Sequence, residues 1–371
     1  MKDKKLAIIG THGIPANYGG FETFAEEFAI RCVQYGLDVL VIANHDSYNA
    51  DYYKGVRVIC SRYAKSSTPI LYYLDSYAIA YKEGYRKILL TGVGGALIGW
   101  FFDFFGIKTY LNPDGLGFLR SKYSRMERAF FKLLYRIASL TMNEMIFDSP
   151  GIRDYFVSRF KYSGNYSIIE YGVREEDKTR ISVAGYEAMP LSNKYSLVVA
   201  RLEPENNVEM IIEGYINSDF KDTPLYIVGS TSTKEGKRLK LLYAEHKLVV
   251  FLNGIYDKAI LLAIRQKALF YFHGHSVGGT NPSLLEAMVV GNICICHDNI
   301  FNRHITGNYG YYFNNSDELS ELLNTEILTL VNNPYDLNKL KREVQSFVSS
   351  RFSWNAITTK YCKAVGIYLE Q

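Results

Sequence analysis

The stretch His273–Met288 reads HGHSVGGTNPSLLEAM and follows an apolar run, ALFYF, at Ala268–Phe272. That run has the length and composition of a buried strand. Glycines at 274, 278 and 279 come next, and Pro282 then opens a helical pattern, PSLLEAMVVGN. Proline suits the first helical position, because the amide it lacks has no intrahelical partner there. Strand, glycine-rich turn and helix in that order are the repeating part of a parallel α/β sheet. Amides at such a helix start carry partial positive charge, so a diphosphate or sugar hydroxyls dock there. Glu286 lies one turn in, where its carboxylate either accepts from ribose hydroxyls or is solvated.

The same alternation extends in both directions. Tyr195–Ala200 (YSLVVA) reads as a strand, Asn207–Ile216 as a helix and Leu225–Gly229 as a strand, with further strands at Val249–Leu252 and Ile293–His297. Nearer the start, Leu6–Ile9, Asp38–Asn44, Ile88–Thr91 and Thr109–Asn112 are strands, with a helix over Gly20–Tyr35. Ser139–Phe147 leads into DSPGIRDYF, where Asp148 or Ser149 caps a helix that has Pro150 at its first position. A polar, poorly periodic stretch, Arg174–Lys194, separates the two sets, and 371 residues suit about two domains. The expected fold is α/β, with two doubly wound lobes and a ligand cleft between the carboxyl ends of their sheets. The final segment, FSWNAITTKYCKAVGIYLEQ, is amphipathic and helical.

Composition narrows the function classes. An apolar fraction of 48% with 22% charged residues is globular, and a net charge of +4 argues against a whole-protein nucleic-acid footprint. The five cysteines have no zinc-like spacing; Cys294 and Cys296 fall on one face of a strand, as reduced core residues of a cytosolic protein. MKDKKLAIIG reads as a first strand, not as a cleaved signal. The uncharged stretch Ile88–Phe102 holds four glycines and is shorter than the roughly 20 residues of a spanning helix. The expectation is a protein neither secreted nor integral to a membrane.

Two more loops carry chemistry. In VARLEPENN (Val199–Asn207), Arg201 ends a strand, where a guanidinium suits bidentate phosphate recognition or a surface salt bridge. IIGTHGIPANYGGFET (Ile8–Thr23) has glycines at 10, 13, 19 and 20. It is not a dinucleotide fingerprint, because the spacing differs and Pro15 interrupts the turn. Gly19 and Gly20 let the backbone approach a phosphate or sugar, and His12 either touches the transferred sugar or is a polar loop residue. Asp114 and Asp148 are carboxylates able to take an acceptor proton; the bland alternatives are a turn residue and a helix cap.

Phe118–Arg136, FLRSKYSRMERAFFKLLYR, sets Arg120, Lys122, Arg125, Arg128, Lys132 and Arg136 against one acid, Glu127, with Phe130, Phe131, Leu134 and Tyr135 interleaved. A basic amphipathic helix of this kind binds an anionic membrane surface, or else its apolar stripe is core. Nearby Trp100–Phe105 (WFFDFF) joins that surface or is core too.

VARLEP, the loop and helix ending in LLEAM, and the final FSW helix together resemble the retaining GT-B glycosyltransferases of group 1. More narrowly, IIGTHGIPANYGGFET, NPDG (Asn112–Gly115), PENN (Pro204–Asn207) and HGHSVGGTNPSLLEAM resemble bacterial rhamnosyltransferases of capsule and cell-wall polysaccharide. The resemblance runs through nearly the whole chain. It implies a GT-B fold: an acceptor-binding Rossmann-like domain over 1–180, a donor-binding one over 190–350, and a helix over 351–371 returning to the first. It implies transfer of L-rhamnose from dTDP-L-rhamnose to a polyprenyl-diphosphate-linked sugar at the cytoplasmic membrane face, without a metal or other cofactor. Arg201 is then the diphosphate ligand and Glu286 the ribose ligand. Two departures stand out. The family's lysine after the arginine is replaced near Asn206, and its first glutamate, eight positions before Glu286, is Gly278. His273, His275, Gly279, Thr280 and Asn281 are the candidates to replace those charged contacts. After NPDG the narrower relatives carry Glu-Trp where this chain has Leu116, Gly117 and Phe118. That leaves other donors, such as UDP-glucose or UDP-galactose, and a GT-B sugar-nucleotide epimerase as alternatives.

Overall fold

A computed structural model describes residues 4–16, 20–45, 50–119, 124–174, 191–192, 194–221 and 223–369. Gly19, Arg120 and Lys122 lie outside the described residues, as does most of the stretch between the two strand sets. The chain divides into two compact units, Met1–Gly172 with Trp354–Gln371, and Val173–Ser353.

In the first unit the strands are β1 (Lys5–Ile9), β2 (Asp38–Ala43), β3 (Tyr52–Tyr53), β4 (Val56–Cys60), β5 (Lys87–Thr91), β6 (Lys108–Asn112), β7 (Glu144–Phe147) and β8 (Asn165–Ile168). They form one sheet in the order β3-β4-β2-β1-β5-β6-β7-β8, parallel except for the β3–β4 hairpin. KLAII, DVLVIA and KILLT are near-continuous apolar runs because parallel strands are covered on both faces. The helices are α1 (Gly20–Gln34), α2 (Pro69–Lys82), α3 (Ala96–Asp103), α4 (Arg125–Thr141) and α5 (Pro150–Phe160). α4 runs through Ser139, so the strand that precedes Asp148 begins only at Glu144.

The second unit pairs β9 (Ser196–Val199), β10 (Leu225–Val228), β11 (Val249–Phe251), β12 (Phe270–His273), β13 (Ile293–His297) and β14 (Gly310–Phe313) in the all-parallel order β11-β10-β9-β12-β13-β14. Its helices include α6 (Val208–Asn217), α7 (Lys234–Tyr243), α8 (Lys258–Lys267), α9 (Pro282–Val289), α10 (Ile300–Thr306), α11 (Ser316–Leu322) and α12 (Pro334–Phe352). Ile227, Phe270, Phe272, Ile293 and Ile295 from the strands pack with Ile211, Tyr215 and Leu319 from the helices in one buried core. Cys294 and Cys296 are buried, and all five cysteines are reduced.

The last helix, α13 (Trp354–Ala364), belongs to the first unit and packs on α1. Tyr361 meets Phe24 and Phe28 at ring-centroid distances of 4.8 and 5.4 Å. Its hydroxyl accepts from Asn112 Nδ2 at 2.8 Å, a wholly buried amide at the end of β6. Removing that acceptor strands a buried donor. Tyr361→Phe is expected to cost about 1–2 kcal/mol, read as a lowered thermal midpoint, while Tyr368→Phe at an exposed site leaves it unchanged.

Candidate active site

In an open parallel sheet, ligands bind outside the carboxyl ends of the strands where the strand order reverses. In the second unit that point lies between β9 and β12. The loop after β9 carries Arg201, and the loop after β12 is the glycine-rich stretch quoted above.

Backbone and amide contacts hold the two loops together. Asn206 Nδ2 donates to Arg201 O at 2.8 Å, and His275 Nδ1 lies 2.7 Å from Asn206 Oδ1. Asn207 Nδ2 donates to Gly274 O at 2.7 Å, and Ser276 N donates to Glu205 O at 3.0 Å. Gly274 passes so close to Asn206 O that a Cβ would collide with it. From the far side, Asn299 and Asn302 both donate to His275 O at 3.0 Å. The Asn206 nitrogen is committed as a donor, so its oxygen accepts and His275 Nδ1 carries the hydrogen. In the neutral form of that ring Nε2 is the acceptor.

That Nε2 lies over Gly278, where a Cβ would stand 2.9 Å away; Gly278 also has φ +141, a conformation that disfavours side chains. On this loop path a side chain at 278 would be strained and would press on the His275 ring. His273 is 5% exposed, and its Nε2 has no hydrogen-bond partner among the described residues. Burial first, and the neighbouring His275 second, push its pKa well below 6.5, so the ring is neutral.

At the start of α9, Asn281 Oδ1 caps the helix by accepting from Ser283 N at 3.0 Å. Pro282 has no amide hydrogen, and Leu284 and Leu285 donate to Asn281 O. The helix's own first amides are thus engaged. Glu286 forms an ion pair with Arg265 Nη2 at 2.8 Å. Arg265, on α8, is buried and also donates to Ser283 Oγ at 2.9 Å; Tyr271 Oη lies 2.8 Å from the same hydroxyl. Arg201 itself is exposed.

The first unit has its own reversal point, between β1 and β5. Gly10 at the end of β1 has φ +103 and packs against Thr91 O at the end of β5. The loop beyond is shaped by two buried acids of α1: Glu22 accepts from His12 N at 2.8 Å and Glu26 from Ala16 N at 2.7 Å. Gly20 opens α1 with open space where a Cβ would stand, which suits close approach of a ligand. Lys65, in the loop after β4, donates to Gly10 O. Burial pushes the Lys65 pKa down against the opposing charges of Glu22 and Asp114. His12 is pushed down by burial and then by Lys65, with Glu22 opposing.

Asp114 stands at φ +66 in a turn whose amide donates to Asn112 Oδ1 at 3.0 Å. Asp148 is buried and is not the helix cap, because Ser149 caps α5 through Ile152 N. The buried Tyr171 has its pKa pushed well up by burial and then by Asp114, Asp148 and Glu22. His12, Asp114 and Asp148 therefore share one neighbourhood at the carboxyl edge of the first sheet.

Residues 187–346 match the family model for glycosyl transferases group 1, and residues 3–174 match a domain of unknown function (DUF1972). No curated protein sequence matches the chain. Among solved structures, sucrose-phosphate synthase from Thermosynechococcus elongatus aligns over 97% of this chain and 98% of its own, with a TM-score of 0.78 at 17% identity. A glycosyltransferase from Rickettsia africae aligns over 97% of both chains, at 0.74 and 13%. Anabaena HepE in complex with UDP and glucose aligns over 98% and 99%, at 0.70 and 15%. The fold is GT-B, and the match to glycosyl transferases group 1 falls within its second unit.

Sequence reading alone missed Arg265, Tyr271 and Ser283 behind Glu286, and Glu22, Glu26 and Lys65 around His12. Arg265 was within reach, since an arginine in the apolar run LLAIRQK requires a buried acceptor. Glu22 and Glu26, four apart beside Phe24 and Phe28, carry the same signal on α1. Lys65 carries none, because only the fold brings its loop to Gly10.

Two outcomes follow for the second unit. Glu286→Ala strands the buried Arg265 guanidinium and is expected to lose about 1–3 kcal/mol of stability, whereas Glu286→Gln keeps an acceptor and most of the thermal midpoint. For His273 the folded pKa is depressed, so the unfolded chain takes up the proton more readily. Stability is then level above about pH 6.5 and falls as pH drops below it, by up to about 1.4 kcal/mol per pH unit. In His273→Asn that part of the slope should vanish, as measured by thermal midpoints between pH 5 and 8.

Proposed function

We propose that the protein transfers L-rhamnose from dTDP-L-rhamnose to a sugar carried on polyprenyl diphosphate, in capsule or cell-wall polysaccharide synthesis. The observation that carries glycosyl transfer is the pair of joined loops at the β9/β12 reversal point, inside the region matching glycosyl transferases group 1. The narrower motifs IIGTHGIPANYGGFET, NPDG and PENN support rhamnose as the transferred sugar.

In this reading Arg201 and the loop amides at Gly279, Thr280 and Asn281 hold the diphosphate. They stabilise the negative charge that builds as the anomeric bond breaks. Glu286 accepts from the ribose, oriented by Arg265. His275 Nε2 and His273 Nε2 supply neutral contacts to the sugar where the wider family uses a carboxylate. Asn206 is a positioning residue for Arg201 and His275. The acceptor oxygen attacks the anomeric carbon on the face the diphosphate leaves. Its proton passes to a carboxylate, for which Asp114 and Asp148 are the candidates, with His12 and Gly20 against the sugar. The protein acts in the cytoplasm at the inner membrane face, touching anionic lipid through 118–136. A second reading keeps the reaction and takes UDP-glucose, the donor present in a structure of HepE.

A panel of nucleotide sugars, with and without a short polyprenyl-diphosphate sugar, tests this. Acceptor-dependent release of dTDP and a rhamnosylated product are expected. Release of UDP instead moves the donor assignment, and donor isomerisation without acceptor overturns transfer. Arg201→Ala is expected to lower kcat/KM about 10–100-fold, the loss of one charge-assisted phosphate contact.

A further inference from the structure

α3 packs inside out. Its buried residues are the small Ala96 and Gly99, and a Cβ at Gly99 would stand 2.6 Å from Tyr77 Oη and 3.1 Å from Thr109 Oγ1. Leu97, Trp100 and Phe101, with Phe104 just past the end of the helix, follow the i, i+3, i+4, i+7 pattern of one helical face and are exposed, Phe104 at 73%, whereas Ile98 and Phe102 are half-buried and Phe102 stacks on Tyr77 at 5.2 Å. Phe105 extends that face, stacking near Phe101 at 5.4 Å and meeting Tyr81 of α2 edge-on at 6.4 Å.

The two neighbouring helices also expose apolar side chains, although their inward faces bury tyrosines. α2 contacts α3 and exposes Ile70, Leu71 and Leu74. α4 contacts α3 on its other side and buries Tyr135, Ala138 and Ser139. On the opposite face Met126, Phe130, Leu133 and Leu140 lie in one exposed stripe, Met126 at 84%. This corrects part of the sequence expectation: Tyr135 is core, its hydroxyl bonded to Gly115 O, and the exposed apolar set extends over two helices outside 118–136. Exposed Arg125, Lys132 and Arg136 lie about a quarter turn to one side of the α4 stripe, at 100° per residue. Glu127, the acid of α4, is tied into a capping box with Ser124.

We propose that α2, α3 and α4 form one membrane-docking platform, with Trp100, Phe101, Phe104 and Phe105 entering the acyl boundary of an anionic bilayer and Arg125, Lys132 and Arg136 meeting its phosphates. A contiguous apolar face of this extent marks an interaction site. The basic flank selects lipid over a second copy, since an isologous contact would set these cations against their own copies. Among the described residues no helix is long and apolar enough to cross a membrane, so the platform lies in the interface. The inference deepens the membrane contact proposed above and rests on it for the nature of the surface.

The chain has two tryptophans, and Trp354 is 4% exposed while Trp100 is 43% exposed, so a change in emission reports Trp100. Adding vesicles of phosphatidylcholine with phosphatidylglycerol should shift the emission to the blue, and brominated acyl chains should quench it. Phe104→Ser with Phe105→Ser, both at exposed positions, should weaken vesicle partition about ten-fold or more. Arg125→Gln, Lys132→Gln and Arg136→Gln together should weaken it about a hundred-fold on anionic vesicles, with little change on neutral ones. Emission unchanged by vesicles overturns the proposal, even where the enzyme transfers sugar to a short soluble acceptor. So does a blue shift that follows protein concentration without lipid, with a doubled mass in light scattering. Vesicle binding by a chain that turns over no donor leaves the platform standing and removes the transfer reading alone.

Discussion

The carboxamide of Asn206 sets the geometry of the second unit's site. Its nitrogen fixes the carbonyl of Arg201 and its oxygen fixes the ring of His275, so one side chain sets the spacing of two loops from different strands. A lysine near this position could donate to a phosphate but could not make both bonds, because it has no acceptor. Replacing it exchanges one cationic ligand for a fixed relation between Arg201 and His275. With His275 Nδ1 committed to Asn206, its Nε2 lies over Gly278, where the backbone adopts φ +141.

Much of this fold can be read in the sequence because parallel strands announce themselves. KLAII, DVLVIA and ICICH are apolar without alternation, and their glycine exits mark the loops that line a reversal point. What cannot be read is the sheet order, and with it which loops become neighbours. VARLEPENN and HGHSVGGTN are about seventy residues apart and meet only because β9 and β12 are adjacent. β4 and its following loop lack a comparable motif, so Lys65 goes unnoticed although it reaches Gly10 at the turn that carries His12. Asp148 shows a different limit. Asp-Ser-Pro offers two possible caps, and the structure gives the cap to Ser149, leaving the aspartate buried beside Tyr171.

Amphipathicity has the same ambiguity. A stripe of apolar residues in sequence marks a face, but not which way that face points. On α4 both faces are apolar in part, with Tyr135 and Ala138 inward and Phe130 and Leu133 outward. On α3 the decisive residue is the smallest one. Gly99 lets the helix lie against Tyr77 and Thr109, and that approach turns Leu97, Trp100 and Phe101 outward while Phe102 stacks on Tyr77. An apolar surface built this way cannot be a by-product of poor packing, because the inward face is closely packed.

The first unit combines the two themes of burial and charge. Glu22 and Glu26 are buried acids on α1 whose oxygens are engaged by loop amides, so they shape the His12 loop and are occupied as ligands. Asp114 is different in kind: its turn is held by Asn112, and Asn112 is held in turn by Tyr361 of α13. The last helix thus reaches the candidate base through two hydrogen bonds. An alteration in the docking of α13 would be felt at Asp114 through those two bonds, whereas the His12 loop is held by Glu22 of α1, by Asn44 N on His12 O and by Tyr72 Oη on Thr11 O. Through Asn112 the last helix supports the turn that carries Asp114, a carboxylate of the candidate site.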